Sequence, residues 1–204
     1  MNAEVESVLS FWLEPKPQTE SETDARYRYW FYGGEPVDRE IRARFAALVE
    51  QARSGALDAW AESPRGRLAL IILIDQFSRN LHRGTPAAFS LDPKTLALAA
   101  DGFDRGMFDD GFDELDRLFA HMPFRHAEDL AAQSRCVLLA QRDMMTCRAP
   151  WRTTLLESVE FARKHLDVIA RFGRFPHRNA TLGRESTADE LEYTAYLKHV
   201  GQWL

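Results

Sequence analysis

The chain has 204 residues, of which 45% are hydrophobic and 28% charged, with a formal net charge of −5. That length suits one domain with a substantial core and is short for two, and the composition is that of a folded globular protein rather than a disordered one. The mild acidity argues against bulk electrostatic binding to nucleic acid or to an anionic membrane, so any basic function has to be local.

The opening "MNAEVESVLSFWLEP" has no basic n-region, adequate apolar stretch or small-residue cleavage site. The longest apolar run, "LALIILI" at 68–74, is too short to span a bilayer. A cytoplasmic protein is expected, with no membrane partner. Cys136 and Cys147 lack a CxxC spacing, and free thiols, buried or half-buried, are expected.

The periodicity is helical almost everywhere. Val37, Ile41, Phe45, Leu48, Val49 and Ala52 follow one face of an amphipathic helix, which Gly55 is placed to end. Ser63-Pro64 reads as an N-cap followed by proline at the first helical position, opening "RGRLALIILIDQFSRN". Asp92-Pro93 repeats that signal and starts a helix through Leu96, Ala99, Ala100 and Phe103 that stops at Gly106. Helices are expected over Phe112–Ala120 and Arg125–Met145, separated at "HMPF" because its proline resists continuation. Pro150 opens a long helix to about Phe172, and Thr187 with Glu190 forms a capping box for a final helix to about His199. No stretch alternates at period two long enough to be a strand. These signals predict an all-α fold: a single domain over residues 1–204, with eight or so helices packed as antiparallel pairs.

Polar groups fall where the core should be. "LALIILI" is apolar on all sides, so Asp75 directly after it has no easy path to water and needs a partner. Arg79, one turn on, can pair with it internally; alternatively Asp75 orients an arginine or histidine of a site. His126, Leu130, Gln133 and Val137 share a face that the two apolar residues mark as buried, which aims His126 and Gln133 inward. His165 shares its face with Val168, Ile169 and Phe172. A histidine so placed is either a hydrogen-bonded core residue or part of a site. Residues 168–184 carry Arg171, Arg174, Arg178, Arg184 and His177 and no acid. Phe175 before Pro176 has to be extended, so the long helix breaks there, helped by Gly173. Phenylalanines interleaved with arginines suggest guanidinium groups held in place, as needed to grip a carboxylate or phosphate. "DQFSRN" and "RFGRFPHRN" are therefore expected to meet, since the buried acid needs a cation and the acid-free stretch needs anions.

The blocks "LIDQFSRNLHRGTPAAFSLD", "MPFRHAEDLAAQ" and "HLDVIARFGRFPHRNATLGRESTADE", in this order, resemble the signature blocks of the bacterial family called domain of unknown function 924. "VLSFWLEP" and "RYWFYG" fit it too, and Ile74 stands where leucine is usual. The resemblance covers nearly the whole chain. It implies a tetratricopeptide-like array of helix pairs and brings no activity with it.

Three functional readings follow. In the first, a small anionic ligand is held by Arg79, Asn80, Arg83, Arg174, Arg178, Asn179 and Arg184. In the second, a hydrolase-type enzyme uses His177, His126 and Asp75 as catalytic groups, with or without a metal on His126, His165 and Glu128. No HExxH, HxxE or CxxC spacing supports the metal, and abundant arginine repels a cation. In the third, stacked helix pairs offer a groove to a protein partner. No cofactor is expected, and the oligomeric state is left open. His177 is expected to line a pocket with at least two of Arg79, Arg174, Arg178 and Arg184, while Thr187 is expected to be structural.

Overall fold

The computed structural model describes residues 2–199, and among these every regular element is helical and no strand occurs. The fold is built around the apolar run after Ser63. The Ser63 hydroxyl accepts from the Gly66 amide at 3.2 Å and Pro64 takes the first helical position. Helix α4 (Pro64–Ile71) runs on through a π-helical turn, Ile72–Phe77, into a last turn, α5 (Ser78–Leu81). Every residue from Gly66 to Ser78 is buried, as the all-apolar surface of 68–74 requires of that run.

Four helices enclose this axis: α1 (Ala3–Leu13), α3 (Gly34–Ser54), α6 (Asp92–Asp104) and α7 (Glu114–His126). The predicted face of α3 is the one that packs, with Val37, Ile41, Phe45, Val49 and Ala52 buried, and Gly55 ends it at φ 88°. From α1, Trp12 packs edge-on against Phe77 at 5.1 Å and Phe119 at 5.8 Å, joining α1 to the axis and to α7. Helices α7, α8 (Leu130–Thr146) and α9 (Arg152–Phe172) pack in succession, and α2 (Glu20–Tyr32) lies against α3 and α9. A smaller apolar cluster of Val168, Ile169 and Phe175 seats the segment after α9, followed by α10 (Ala188–His199).

Two expectations need correction. The break expected at "HMPF" is not there: α7 begins at Glu114 and continues through Pro123 to His126. Proline removes one backbone donor near the end of α7, and burial of Phe119, Met122 and Phe124 on either side outweighs that loss. The chain turns instead at Ala127–Asp129, where the Asp129 carboxylate accepts from the Ala132 amide at 2.7 Å and caps α8. Leu130 is exposed, so it does not mark a buried face; α8 turns Gln133, Cys136, Ala140 and Asp143 inward. Both cysteines are free thiols, Cys136 buried and Cys147 partly so.

Candidate functional site

The π-helical turn that ends the central axis carries Asp75, whose side chain is only 1% exposed. Such turns displace one residue from the regular ladder and recur at functional sites. Asp75 Oδ1 faces His126 Nδ1 at 2.8 Å and accepts from Arg79 Nη2 at 3.4 Å, while Oδ2 accepts from Gln76 Nε2 at 2.5 Å. Burial alone would push the Asp75 carboxyl up. The His126 ring and Arg79 guanidinium facing it, with the hydrogen bonds from His126 and Gln76, outweigh that and hold it below the ordinary carboxylate range.

Asp92 is the second centre. It is the first residue of α6, and it does not cap the helix as its sequence signal suggested; Leu91 occupies the cap position with no side-chain bond. Its carboxylate is instead shared by two cations, Arg79 Nη2 at 2.6 Å from Oδ1 and Arg178 Nη1 at 3.0 Å from Oδ2. "DQFSRN" and "RFGRFPHRN" are thus joined through Asp92, while Asp75 takes its partners from its own helix and from α7. Arg178, 6% exposed, lies between the rings of Phe89 at 4.6 Å and Phe175 at 4.5 Å. Burial, then repulsion from Arg79, pushes its guanidinium down to about 10 despite Asp92.

The acid-free stretch is ordered by carboxylates from elsewhere. Gly173 ends α9 at φ 69°, Phe175 is extended before Pro176, and a short helical turn places Arg178. Glu128 accepts both terminal nitrogens of Arg184 (2.7 and 2.9 Å) and the Phe175 amide at 2.7 Å. Arg174 grips Glu190 through Nε at 2.7 Å and Nη2 at 2.9 Å, and Asn179 links Arg184 to Ser186 and Glu190. The Thr187 capping box is present, with Thr187 Oγ1 accepting from Glu190 N at 3.2 Å and Glu190 Oε2 from Thr187 N at 2.8 Å. Asn80 and Arg83 stand apart from this network. Both bind Asp38 of α3, at 2.7 Å and at 3.0 Å, and fasten α5 to it.

The three candidate histidines have different surroundings. His165 is buried and its Nδ1 meets the Phe161 carbonyl at 2.7 Å; burial, then the Arg125 charge, pushes it down to about 3. It is therefore neutral and donates that proton to the carbonyl. His177 is exposed and leans on the Phe175 ring, with centroids 5.5 Å apart. The protein mass beneath it and the Arg178 charge hold it well below the ordinary histidine range. His177 is not among the residues that line the cavity beside Arg178. His126 is the one engaged by Asp75. For the suggested metal set, Glu128 is already committed to Arg184, and no group of three His, Cys, Asp or Glu side chains suited to a metal stands together among the described residues.

A cavity of about 560 Å³ opens beside this network. Phe89, Leu96, Leu182, Pro86 and Pro93 make it largely apolar, and Asp92, Glu128, Asp129 and Arg178 supply its charged groups. Of the arginines singled out in the sequence, Arg178 alone is among its lining residues. Asp92 and Phe89 were missed in the sequence: Asp92 because Asp-Pro is also a helix-start signal, Phe89 because nothing local sets it apart. The available clue was that both fall in the block "LIDQFSRNLHRGTPAAFSLD", together with Asp75 and Arg79.

No curated protein matches the chain. A solved structure of a protein of unknown function from Agrobacterium tumefaciens is similar over 94% of this chain and 97% of its own, with 32% sequence identity and a TM-score of 0.75. The bacterial family of proteins of unknown function DUF924 matches residues 8–199. With the three blocks meeting around Asp75, Asp92, Glu128 and Glu190 and the match running through nearly all of the helical array, the chain belongs to the DUF924 family.

Proposed function

We propose that this protein binds a small molecule with an anionic head, a carboxylate or phosphate, and an apolar body, in the cavity beside Arg178. The observation that carries this reading is Arg178 itself. Its guanidinium is buried, shares one carboxylate with Arg79, and is pushed down to about 10, first by burial and then by the Arg79 charge. Nη1 is taken by Asp92 and Nε is shut in, whereas Nη2 has neither a partner among the described residues nor complete burial. An anion at Nη2 gains a charge-assisted hydrogen bond and offsets the penalty of burying the cation. Phe89, Leu96 and Leu182 offer the remaining body an apolar seat of ordinary ligand-pocket size. In this reading Arg178 faces the ligand, and Arg79 holds Asp92 beside it. Arg174, Asn179 and Arg184 order the loop that presents Arg178, and Asn80 and Arg83 brace the end of the central axis.

Calorimetric titration with octanoate and octyl phosphate tests the proposal. At least one should bind, and Arg178→Met should weaken that binding about tenfold or more, the worth of a charge-assisted bond. Equal binding by the folded variant, or no binding of either compound to the wild type, would overturn it. A second reading, a metal-free enzyme with His126 as its acid–base group, is favoured by the 2.8 Å Asp75–His126 contact, which fixes the ring as a catalytic histidine needs. No helix among the described residues is long and apolar enough to cross a membrane.

A further inference from the structure

The charges that line the cavity beside Arg178 do not cancel. Asp92 is held by Arg79 at 2.6 Å and by Arg178 at 3.0 Å, and Asp75 sets its own charge against Arg79. Those two arginines and two aspartates leave no net charge. His126 beside Asp75 adds none near pH 7, because burial, then the Arg79 charge, holds its ring below the ordinary histidine range. Glu128 is matched by Arg184 at 2.7 Å. Asp129 is left over. Its Oδ1 accepts the Ala132 amide, and no side-chain cation among the described residues pairs with its carboxylate. Asp129 is exposed and lines the same cavity as Arg178.

The cavity therefore presents one open cationic donor, Arg178 Nη2, and one unmatched carboxylate, Asp129. They belong to the same charged part of its wall. Burial, then Arg79, pushes the Arg178 guanidinium down, and Asp92 and Glu128 oppose that shift, so the Glu128 charge is felt at Arg178. Asp129 follows Glu128 directly in the chain, one Cα step of about 3.8 Å away. A bare carboxylate bonds Arg178 and is repelled by Asp129, and a phosphate dianion is repelled more strongly. A carboxylate with an ammonium group beside it answers both residues and brings no net charge into the cavity. Phe89, Leu96 and Leu182 remain to seat an apolar side chain.

We propose that the ligand is an amino acid with an apolar side chain, its carboxylate on Arg178 Nη2 and its ammonium group toward Asp129. Asp129 then sets the preference for a zwitterion over a plain fatty anion, besides capping α8. This rests on the anionic-ligand reading above and names the ligand class within it.

The test is calorimetric titration of the wild type and Asp129→Asn with octanoate and with each enantiomer of 2-aminooctanoate. Asparagine caps a helix as well as aspartate, so this variant removes the charge and keeps the bond to Ala132. The wild type should bind one enantiomer about threefold or more tighter than octanoate, the scale of an ion pair open to water. Asp129→Asn should weaken binding of the amino acid and strengthen that of octanoate, opposite changes that loss of a cap alone would not produce. No preference for either enantiomer in the wild type, or the same preference in the folded variant, would overturn the proposal. Failure of all three compounds to bind the wild type would bring down the anionic-ligand reading as well. Should Asp129→Asn not fold, salt decides on the wild type. Raising the ionic strength from about 0.1 M to 1 M shortens the screening length from about 10 Å to 3 Å and should shrink the preference. A preference indifferent to salt would contradict the role given to Asp129.

Discussion

Replacing Asp92 by alanine separates its two readings by magnitude. A residue that only starts α6 is worth on the order of 1 kcal/mol. Asp92 bridging Arg79 and Arg178 is worth more. Without it, Arg178 loses its one carboxylate partner among the described residues, at 3.0 Å, with a side chain only 7% exposed, while Arg79 keeps Asp75 at 3.4 Å. Breaking a buried pair by removing one member costs about 3–5 kcal/mol. Because Arg79 retains an anion and Asp92 is partly accessible, the lower end, about 3 kcal/mol, is expected here. Urea unfolding followed by circular dichroism gives the number, provided the denaturant slope is unchanged. A cycle with Arg178→Met should show a coupling of about 1–3 kcal/mol, since removing the cation also removes the penalty of leaving it unpaired. A loss near 1 kcal/mol with additive effects would mean that Asp92 is a helix-start residue and no more.

Three other outcomes follow from the same structure. His121 and His165 are buried and pushed down, His165 to about 3, whereas the unfolded chain protonates its histidines below about pH 6.5. The unfolded state therefore binds more protons as pH falls from about 6.5 toward 3. Stability should drop over that window by up to about 1.4 kcal/mol per pH unit for each such histidine, and a urea midpoint equal at pH 7 and pH 5 would refute this. His121 is wholly buried with neither ring nitrogen bonded, so His121→Phe should hold or gain about 1 kcal/mol and flatten that pH slope; a large loss would reveal an unseen role for the imidazole. Thr187→Ala should cost about 1 kcal/mol through the lost cap and leave octanoate binding unchanged, so a folded Thr187→Ala protein that no longer binds would move Thr187 into the site.

The helices were legible because their signals are local. Ser63-Pro64, Gly55, Gly173 and the Thr187–Glu190 box act within one or two turns, and each ends or starts a helix where the sequence says it should. Pro123 misled because what holds it in α7 is burial against the rest of the chain, which no local rule contains. The same divide runs through the site. Asp75 was legible as a buried acid because the apolar run before it leaves no route to water, and the loop arginines stood out by having no acid near them. Their partners were not legible. Asp92 and Glu128 lie 86 and 56 residues from the arginines they hold, and Asp38 lies 45 from Arg83. Those distances are set by how α3, α6 and α7 pack around the central axis, and charge matching alone does not choose among the chain's many acids.

The most direct measurement is a crystal structure of the protein grown with saturating octanoate. The carboxylate is expected within about 3 Å of Arg178 Nη2, the length of a charge-assisted bond, with the tail against Phe89, Leu96 and Leu182. An empty cavity, or a bound molecule whose carboxylate points away from Arg178, would contradict the assignment of this cavity as an anion-binding site.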